Sequence, residues 1–209
     1  MDNLHVIDHP LMSSTLTQMR RLTTDSGEFR SCMHRISALL AYEASRDLPV
    51  HDEAVQTPVT EAMLPVLDEL PITVVPILRA GIGMLDGVLS MIPQASVGVI
   101  GMERDEDSFV PQEYYCKLPR NVEESRVYVI DPMLATGGSA IDAIGSLKSH
   151  GCDDLRFVCI VSAPQGVRAL SEAHPDVPIY TAALDEGLNE RAYIVPGLGD
   201  AGDRVFGTE

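Results

Sequence analysis

From Ile72 onward the chain alternates short apolar runs with helical stretches, and this alternation restricts the fold more than any other feature. The runs ITVVPIL (72–78), SVGVIGM (96–102), RVYVID (126–131), LRFVCIVSA (155–163) and PIYTAAL (178–184) are rich in β-branched residues, with little polar alternation. Strands of this kind are buried on both faces, as in parallel sheets covered by helices. Between most of them lie helical segments, Gly83–Ile92, Ser139–His150 and Gln165–His174. The expected fold is therefore α/β, a mostly parallel central sheet flanked by helices, with ligands beyond the carboxyl ends of the strands.

The first 70 residues read differently. Phe29, Cys32, Met33, Ile36, Leu39 and Leu40 recur at helical spacing, predicting a helix over 25–48 with Asp25 or Ser26 as N-cap. A shorter helix is expected over 11–22, after Pro10. Val50–Thr60 alternates weakly between Pro49 and Pro58 and suggests a short edge hairpin. Residues 104–124 are polar and carry no crossover helix, which suggests an arm projecting from the sheet. There is no repeat or linker, so 1–209 is expected to be one domain, with a helical and hairpin cover over 1–70 and an α/β core over 71–209.

Charge narrows the function. The formal net charge is −16, a field that repels nucleic acid and anionic substrates alike. Any phosphate site must therefore be local and well defined. No apolar run approaches the roughly 20 residues of a membrane helix, and the first residues resemble no signal peptide. Cys32, Cys116, Cys152 and Cys159 form no CxxC pair. Reduced thiols, a cytoplasmic chain and no zinc site are the expectation.

Three loops carry the chemistry. The first is VYVIDPMLATGGSA (127–140), a buried strand ending in Asp131, then Pro132, Met133 and Leu134, then Ala135-Thr136-Gly137-Gly138-Ser139 opening a helix. Backbone N–H groups and a helix N-terminus in such a loop suit a phosphate dianion. The plain alternative is a strand-to-helix turn capped by Ser139, and TGGS alone would favour it. The second loop, PILRAGIG (76–83), puts Arg79 on a glycine-flanked turn after a strand, a cation suited to pyrophosphate; Arg104 ends the next strand. The alternatives are a solvated surface arginine for Arg79 and a local pair with Glu103 or Asp105 for Arg104. The third, YIVPGLGDAGD (193–203), encloses Asp200 between small and turn-forming residues. A bare main chain there suits a base edge that alternates carbonyls and N–H groups, although such loops are often merely solvated.

Strand, acid, spacer and TGGS in this order resemble the phosphoribosyl pyrophosphate (PRPP) loop of the type I phosphoribosyltransferases. DPMLATGGS (131–139) is similar to the uracil-specific branch, in which a proline replaces the second acid and leaves Asp131 alone for the ribose hydroxyls. The resemblance extends to His9-Pro10-Leu11, to 39–44, to DEGLNE (185–190) and to 206–208, and is weakest over 47–70 and 105–124. It implies transfer of the phosphoribosyl group of PRPP to uracil, giving UMP and pyrophosphate. PRPP would meet Arg79, Arg104, residues 131–139 and Asp200; uracil would meet Ile194, Gly199, Asp200 and Ala201. Asp200, Arg79 and Arg104 are the catalytic candidates. Mg²⁺ would be held mainly through PRPP, with Asp200 facing PRPP or its metal. The resemblance also implies a homodimer or larger homo-oligomer, with GTP as an activator in some members.

The rival reading is a UMP-responsive RNA-binding attenuation regulator on the same fold, which wants a basic face that a net charge of −16 does not offer. A nucleotide kinase would need GxxxxGK[ST], and a dinucleotide enzyme GxGxxG; neither occurs, position 86 being Asp.

Overall fold

A computed structural model describes residues 3–104 and 111–208, with backbone alone for residues 103, 104, 111 and 112. The chain opens with strand β1 (Leu4–Val6) and helices α1 (Pro10–Arg20) and α2 (Ser26–Ala44). The His9 ring accepts from the Leu11 N–H at 3.1 Å, and Asp25 accepts from the Glu28 N–H at 2.8 Å, so Asp25 rather than Ser26 caps α2. His5 and His9 stand four residues apart, but His5 stacks on Tyr180 from β1 while His9 caps α1. Both helices stop short of their expected ends. For α2 the reason is Pro49, which disfavours helical backbone at Leu48; the chain turns out through residues 45–47.

Strands β2 (Val50–Gln56) and β3 (Glu61–Leu67) form an antiparallel hairpin, with Thr57 Oγ1 accepting from the Thr60 N–H across the turn. The hairpin expected over 50–60 is thus real but longer. It forms its own two-stranded sheet rather than an edge of the main one. The core follows as β4 (Ile72–Leu78), α3 (Ile82–Met91), β5 (Ser96–Val97), β6 (Val99–Arg104), β7 (Pro111–Lys117), β8 (Arg126–Ile130), β9 (Met133–Leu134), α4 (Gly138–Ser149), β10 (Leu155–Ser162), α5 (Pro164–Ala173) and β11 (Ile179–Leu184). A ribbon of β12 (Gly187–Leu188) and β13 (Ile194–Val195) leads into helix α6 (Ala201–Phe206).

Among the described residues the main sheet runs β1-β11-β10-β8-β4-β6-β7, with β5 on β4 and β9 on β10. Every pairing is parallel except β6–β7. The arm expected over 104–124 therefore begins as an antiparallel return along β6; residues 105–110 lie outside the described residues. Alternate residues of each strand enter opposite cores. Val74, Tyr128, Ile130, Val158 and Ile160 pack towards α1, α2, α3 and α6, while Val75, Ile77, Val127, Val129, Phe157 and Cys159 pack towards α4 and α5. Burial on both faces explains why the runs lack a polar face. No helix among the described residues is long and apolar enough to cross a membrane.

At the amino ends of β8 and β10 two arginines and two aspartates close a ring. Arg126 bonds Asp154 (2.8 Å) and Asp47 (2.9 Å), and Arg156 bonds Asp154 (2.5 Å) and Asp47 (3.0 Å). The ring ties the turn after α2 to the sheet. Burial opposes ionisation of Asp47, but Arg156 and Arg126 hold its carboxyl below the usual range.

Candidate active site

The parallel strands β11, β10, β8, β4 and β6 all end at one edge of the sheet, so the loops after them share that edge. Pro76 of β4 pairs with Ile130 of β8, placing Arg79 and Asp131 just beyond neighbouring strand ends. The contact is tightened at Gly81, where a Cβ would stand 2.5 Å from the Ile130 carbonyl oxygen; no other residue fits. Arg104 ends β6, the next strand, and its side chain lies outside what the structure describes.

Asp131 leaves β8 with its N–H bonded to Val158 O at 3.2 Å. The Pro132 carbonyl accepts from both Ile160 and Val161, and β9 then pairs with β10, so the start of the loop is an extension of the sheet. Gly137 adopts φ +92° and is the N-cap of α4. The helix therefore starts one residue before Ser139, and Ser139 lies in its first turn rather than capping it. The N-cap Gly137 brings no side chain to cap α4, whose first internal bond runs from Ile141 N–H to Gly137 O. The amides of Gly138, Ser139 and Ala140 thus have no partner within the helix. They open on a concavity of about 180 Å³ lined by Asp131 and residues 133–140. Amides and helix dipole together make this an anion site. From beneath, α5 presses on the loop, since a Cβ at Gly166 would lie 2.5 Å from the Ala135 carbonyl oxygen.

Asp131 retains partial exposure, yet burial of its carboxyl pushes its pKa up to about 7, against a bond from the Met133 backbone that favours the charged form. Near neutrality the group is thus poised between proton donor and anion. Cys159, behind it, is pushed to about 12 by burial and has no nucleophilic character.

Arg79 follows β4, with the Leu78–Arg79 peptide cis. Its guanidinium is 62% exposed, 3.8 Å from Asp203 and 6.0 Å from the ring centre of Phe206, both on α6. Asp200 caps α6, Oδ1 accepting from the Asp203 N–H at 3.0 Å. A Cβ at Gly202 would lie 3.2 Å from Asp200 Oδ1 and 3.9 Å from Arg79 Nη2, so the two expected catalytic side chains flank one glycine. In the loop between β13 and α6, Gly197 and Gly199 take positive φ, +60° and +75°. Gly199 and Asp200 are exposed, whereas Ile194 and Ala201 are buried in the core against α2 and α3. The exposed residues of the loop are Pro196, Gly199 and Asp200, while Gly197 and Leu198 are buried and Ile194 and Ala201 lie in the core.

Sequence reasoning missed the groups that hold this loop. Arg20, Asp185 and Arg204 bond the main chain of Gly197 and Leu198. Arg20 and Asp185 are 165 residues apart in sequence, and no local pattern signals the pairing.

The chain matches a family model described as "Uracil phosphoribosyltransferase" over residues 6–208. It is 56% identical over 209 residues to the uracil phosphoribosyltransferase of Streptococcus agalactiae, and 54% identical to that of Levilactobacillus brevis, with full coverage of both chains each time. A solved structure of a protein from Aquifex aeolicus superposes with TM-score 0.91 at 34% identity, covering 97% of each chain. The adenine phosphoribosyltransferase of Trypanosoma brucei shares the fold at TM-score 0.62 and 12% identity, covering 92% of this chain and 88% of its own.

Proposed function

The chain belongs to the uracil phosphoribosyltransferase family, and we infer that the loops at the carboxyl edge of its sheet carry out that family's reaction. The phosphoribosyl group of PRPP is transferred to uracil, giving UMP and pyrophosphate. The observation that carries the site reading is the adjacency of three unlike groups. An uncapped helix N-terminus faces a concavity, a carboxyl with a raised pKa lines it, and Arg79 leaves the neighbouring strand with Asp200 beside it.

In this reading the amides of Gly138 and Ser139 at the start of α4 hold the 5′-phosphate, and Asp131 accepts from the ribose hydroxyls. Arg79 and Arg104 take the pyrophosphate, stabilising charge as it leaves. Uracil lies against Gly199 and Asp200, with Ile194 and Ala201 supporting them. Displacement at C1′ builds positive charge on the ribose ring, which the Asp200 carboxylate offsets. The remaining task is alignment of N1 with C1′, a matter of positioning. Mg²⁺ bound to PRPP would add charge neutralisation at the pyrophosphate. The donor set suits a metal held mostly by substrate oxygens, because no cluster of three or more ligating side chains occurs among the described residues.

We also propose a homodimer or larger homo-oligomer, supported by the exposed Leu22, Val59, Met63 and Leu67 of the N-terminal cover. The RNA-binding alternative gains no support from a chain of net charge −16. The test of function is a radiolabelled-base assay with PRPP and Mg²⁺. Uracil should be converted and cytosine, hypoxanthine and orotate should not; conversion of orotate or hypoxanthine with none of uracil refutes the assignment.

A further inference from the structure

The loop 196–199 is held by three side chains that the reaction does not require. Arg20, the last residue of α1, makes a two-pronged pair with Asp185, Nη1 to Oδ2 at 2.8 Å and Nη2 to Oδ1 at 2.6 Å. Asp185 is 5% exposed at its side chain and is anchored to the sheet through its own N–H on Ser162 O. Both partners reach the same glycine. Arg20 Nη1 donates to Gly197 O at 2.8 Å, and Asp185 Oδ2 accepts from the Gly197 N–H at 3.0 Å. Gly197 has no alternative residue, since φ is +60° and a Cβ would collide with the Ile194 carbonyl.

The next peptide is held from the other side. Arg204 Nη1 donates to Leu198 O at 2.9 Å, while Nη2 donates to Arg21 O at 2.8 Å and the guanidinium lies 4.4 Å from the Phe29 ring centre. A trans peptide is planar, so fixing the direction of one C=O fixes the following N–H in the opposite direction. Arg20 on Gly197 O thereby orients the Leu198 N–H, and Arg204 on Leu198 O orients the Gly199 N–H. Gly197 and Leu198 are buried, and the chain becomes exposed again at Gly199.

We propose that Arg20, Asp185 and Arg204 are positioning residues for base selection, which aim the Gly199 N–H at the ligand and commit the Gly197 and Leu198 carbonyls elsewhere. This rests on the reading of 194–201 as the base loop. Uracil and cytosine differ at C4, a carbonyl acceptor in one and an amino donor in the other. A fixed main-chain donor facing that position accepts uracil and leaves cytosine with two opposed donors, a mismatch that rejects strongly when the donor cannot turn away. If the peptide is free to rotate, the rejection weakens.

The experiment compares the wild type with Arg20→Lys and Asp185→Asn, using uracil, cytosine and PRPP as varied substrates. Each variant keeps a side chain of similar size but loses the fork. KM for uracil should rise about tenfold or more, with KM for PRPP within about twofold, and the uracil-over-cytosine ratio of kcat/KM should fall at least about tenfold. The ¹⁵N–¹H resonance of Gly199 should shift in both variants. Arg204→Lys should relax the same ratio from the other side of the loop. If a variant fails to fold, the remaining ones carry the test. Unchanged selectivity in folded variants, or equal changes in KM for both substrates, overturns the inference. A wild type that does not use uracil at all overturns the functional reading instead, so the two failures are distinct.

Discussion

The Arg79 guanidinium stands 3.8 Å from the carboxylate of Asp203, on the short helix that Asp200 caps. The arginine expected to meet pyrophosphate and the acid expected to act at the ribose are thus held by the same turn of chain. Asp203 is consequently no neutral neighbour of Asp200.

Asp200→Asn is the sharpest test of catalysis, because asparagine caps a helix as well as aspartate does. The melting temperature should stay unchanged while kcat falls at least ~100-fold, about 2.7 kcal/mol. Asp203→Asn should act differently, releasing Arg79 and changing KM for PRPP only a few-fold, since an exposed pair contributes under about 1 kcal/mol. Equal modest losses in both variants would remove any special role from Asp200.

The phosphate loop is best tested at Ser139. A valine at Gly137 would be strained by φ +92° and would point at Gly166 and Ala169 rather than at a ligand, confusing folding with binding. Ser139→Asp instead places a carboxylate in the first turn of α4, where the helix dipole favours it. Thermal stability should hold or rise slightly, while PRPP affinity measured by calorimetry falls at least ~100-fold. Undiminished PRPP binding would show that the concavity is only a turn.

Asp131 predicts a pH effect of unusual sign. Its carboxyl titrates near 4 when unfolded and at about 7 when folded. The folded state holds the proton longer, so the group's contribution to stability falls as pH rises from about 4 to about 7. Asp131→Asn should lose this slope and gain on the wild type above pH 7. Ribose hydroxyls donate to the ionised form, so PRPP binding to the wild type should release a proton near neutrality. Calorimetry in two buffers of different ionisation heat measures this, with Asp131→Asn subtracting the protons of the phosphates themselves. Equal proton release by the two proteins would refute the assignment.

The ring of Asp47, Arg126, Asp154 and Arg156 should matter to folding alone, because it sits at the edge of the sheet opposite the loops. Arg126→Met leaves two carboxylates short of a partner and should cost about 2 kcal/mol in urea unfolding. The kcat/KM for uracil of the folded fraction should stay within about twofold. A selective loss of activity would mean that the two edges communicate.

What the sequence made legible follows from how local each signal is. The apolar runs located the strands, and Asp25 marked the start of α2, because burial on both faces and helix capping are decided within a few residues. The DPMLATGGS and GLGDAGD segments pointed to strand ends and turns for the same reason. The helix start at Gly138 instead of Ser139 depended on a left-handed Gly137 that composition does not reveal. The hairpin of β2 and β3 was recognisable as a hairpin, but its detachment from the main sheet is a tertiary fact. The support that Arg20 gives the base loop was invisible, since it joins chain segments more than 160 residues apart.

The glycine contact between the second and first loops has an evolutionary consequence. With Gly81 seated against the Ile130 carbonyl, the interval between Arg79 and Asp131 is the spacing of two neighbouring strands, about 4.8 Å, plus a short fixed excursion. Side-chain exchange at the rim cannot stretch that interval, so the sugar-phosphate donor is a commitment of the scaffold itself. The acceptor side hangs on a separate ribbon and a six-residue helix, tethered by side chains rather than by sheet geometry. Lineages that drift toward another nucleobase should therefore diverge first between Gly187 and Phe206 and at the side chains tethering that segment, while the glycine-packed edge stays frozen.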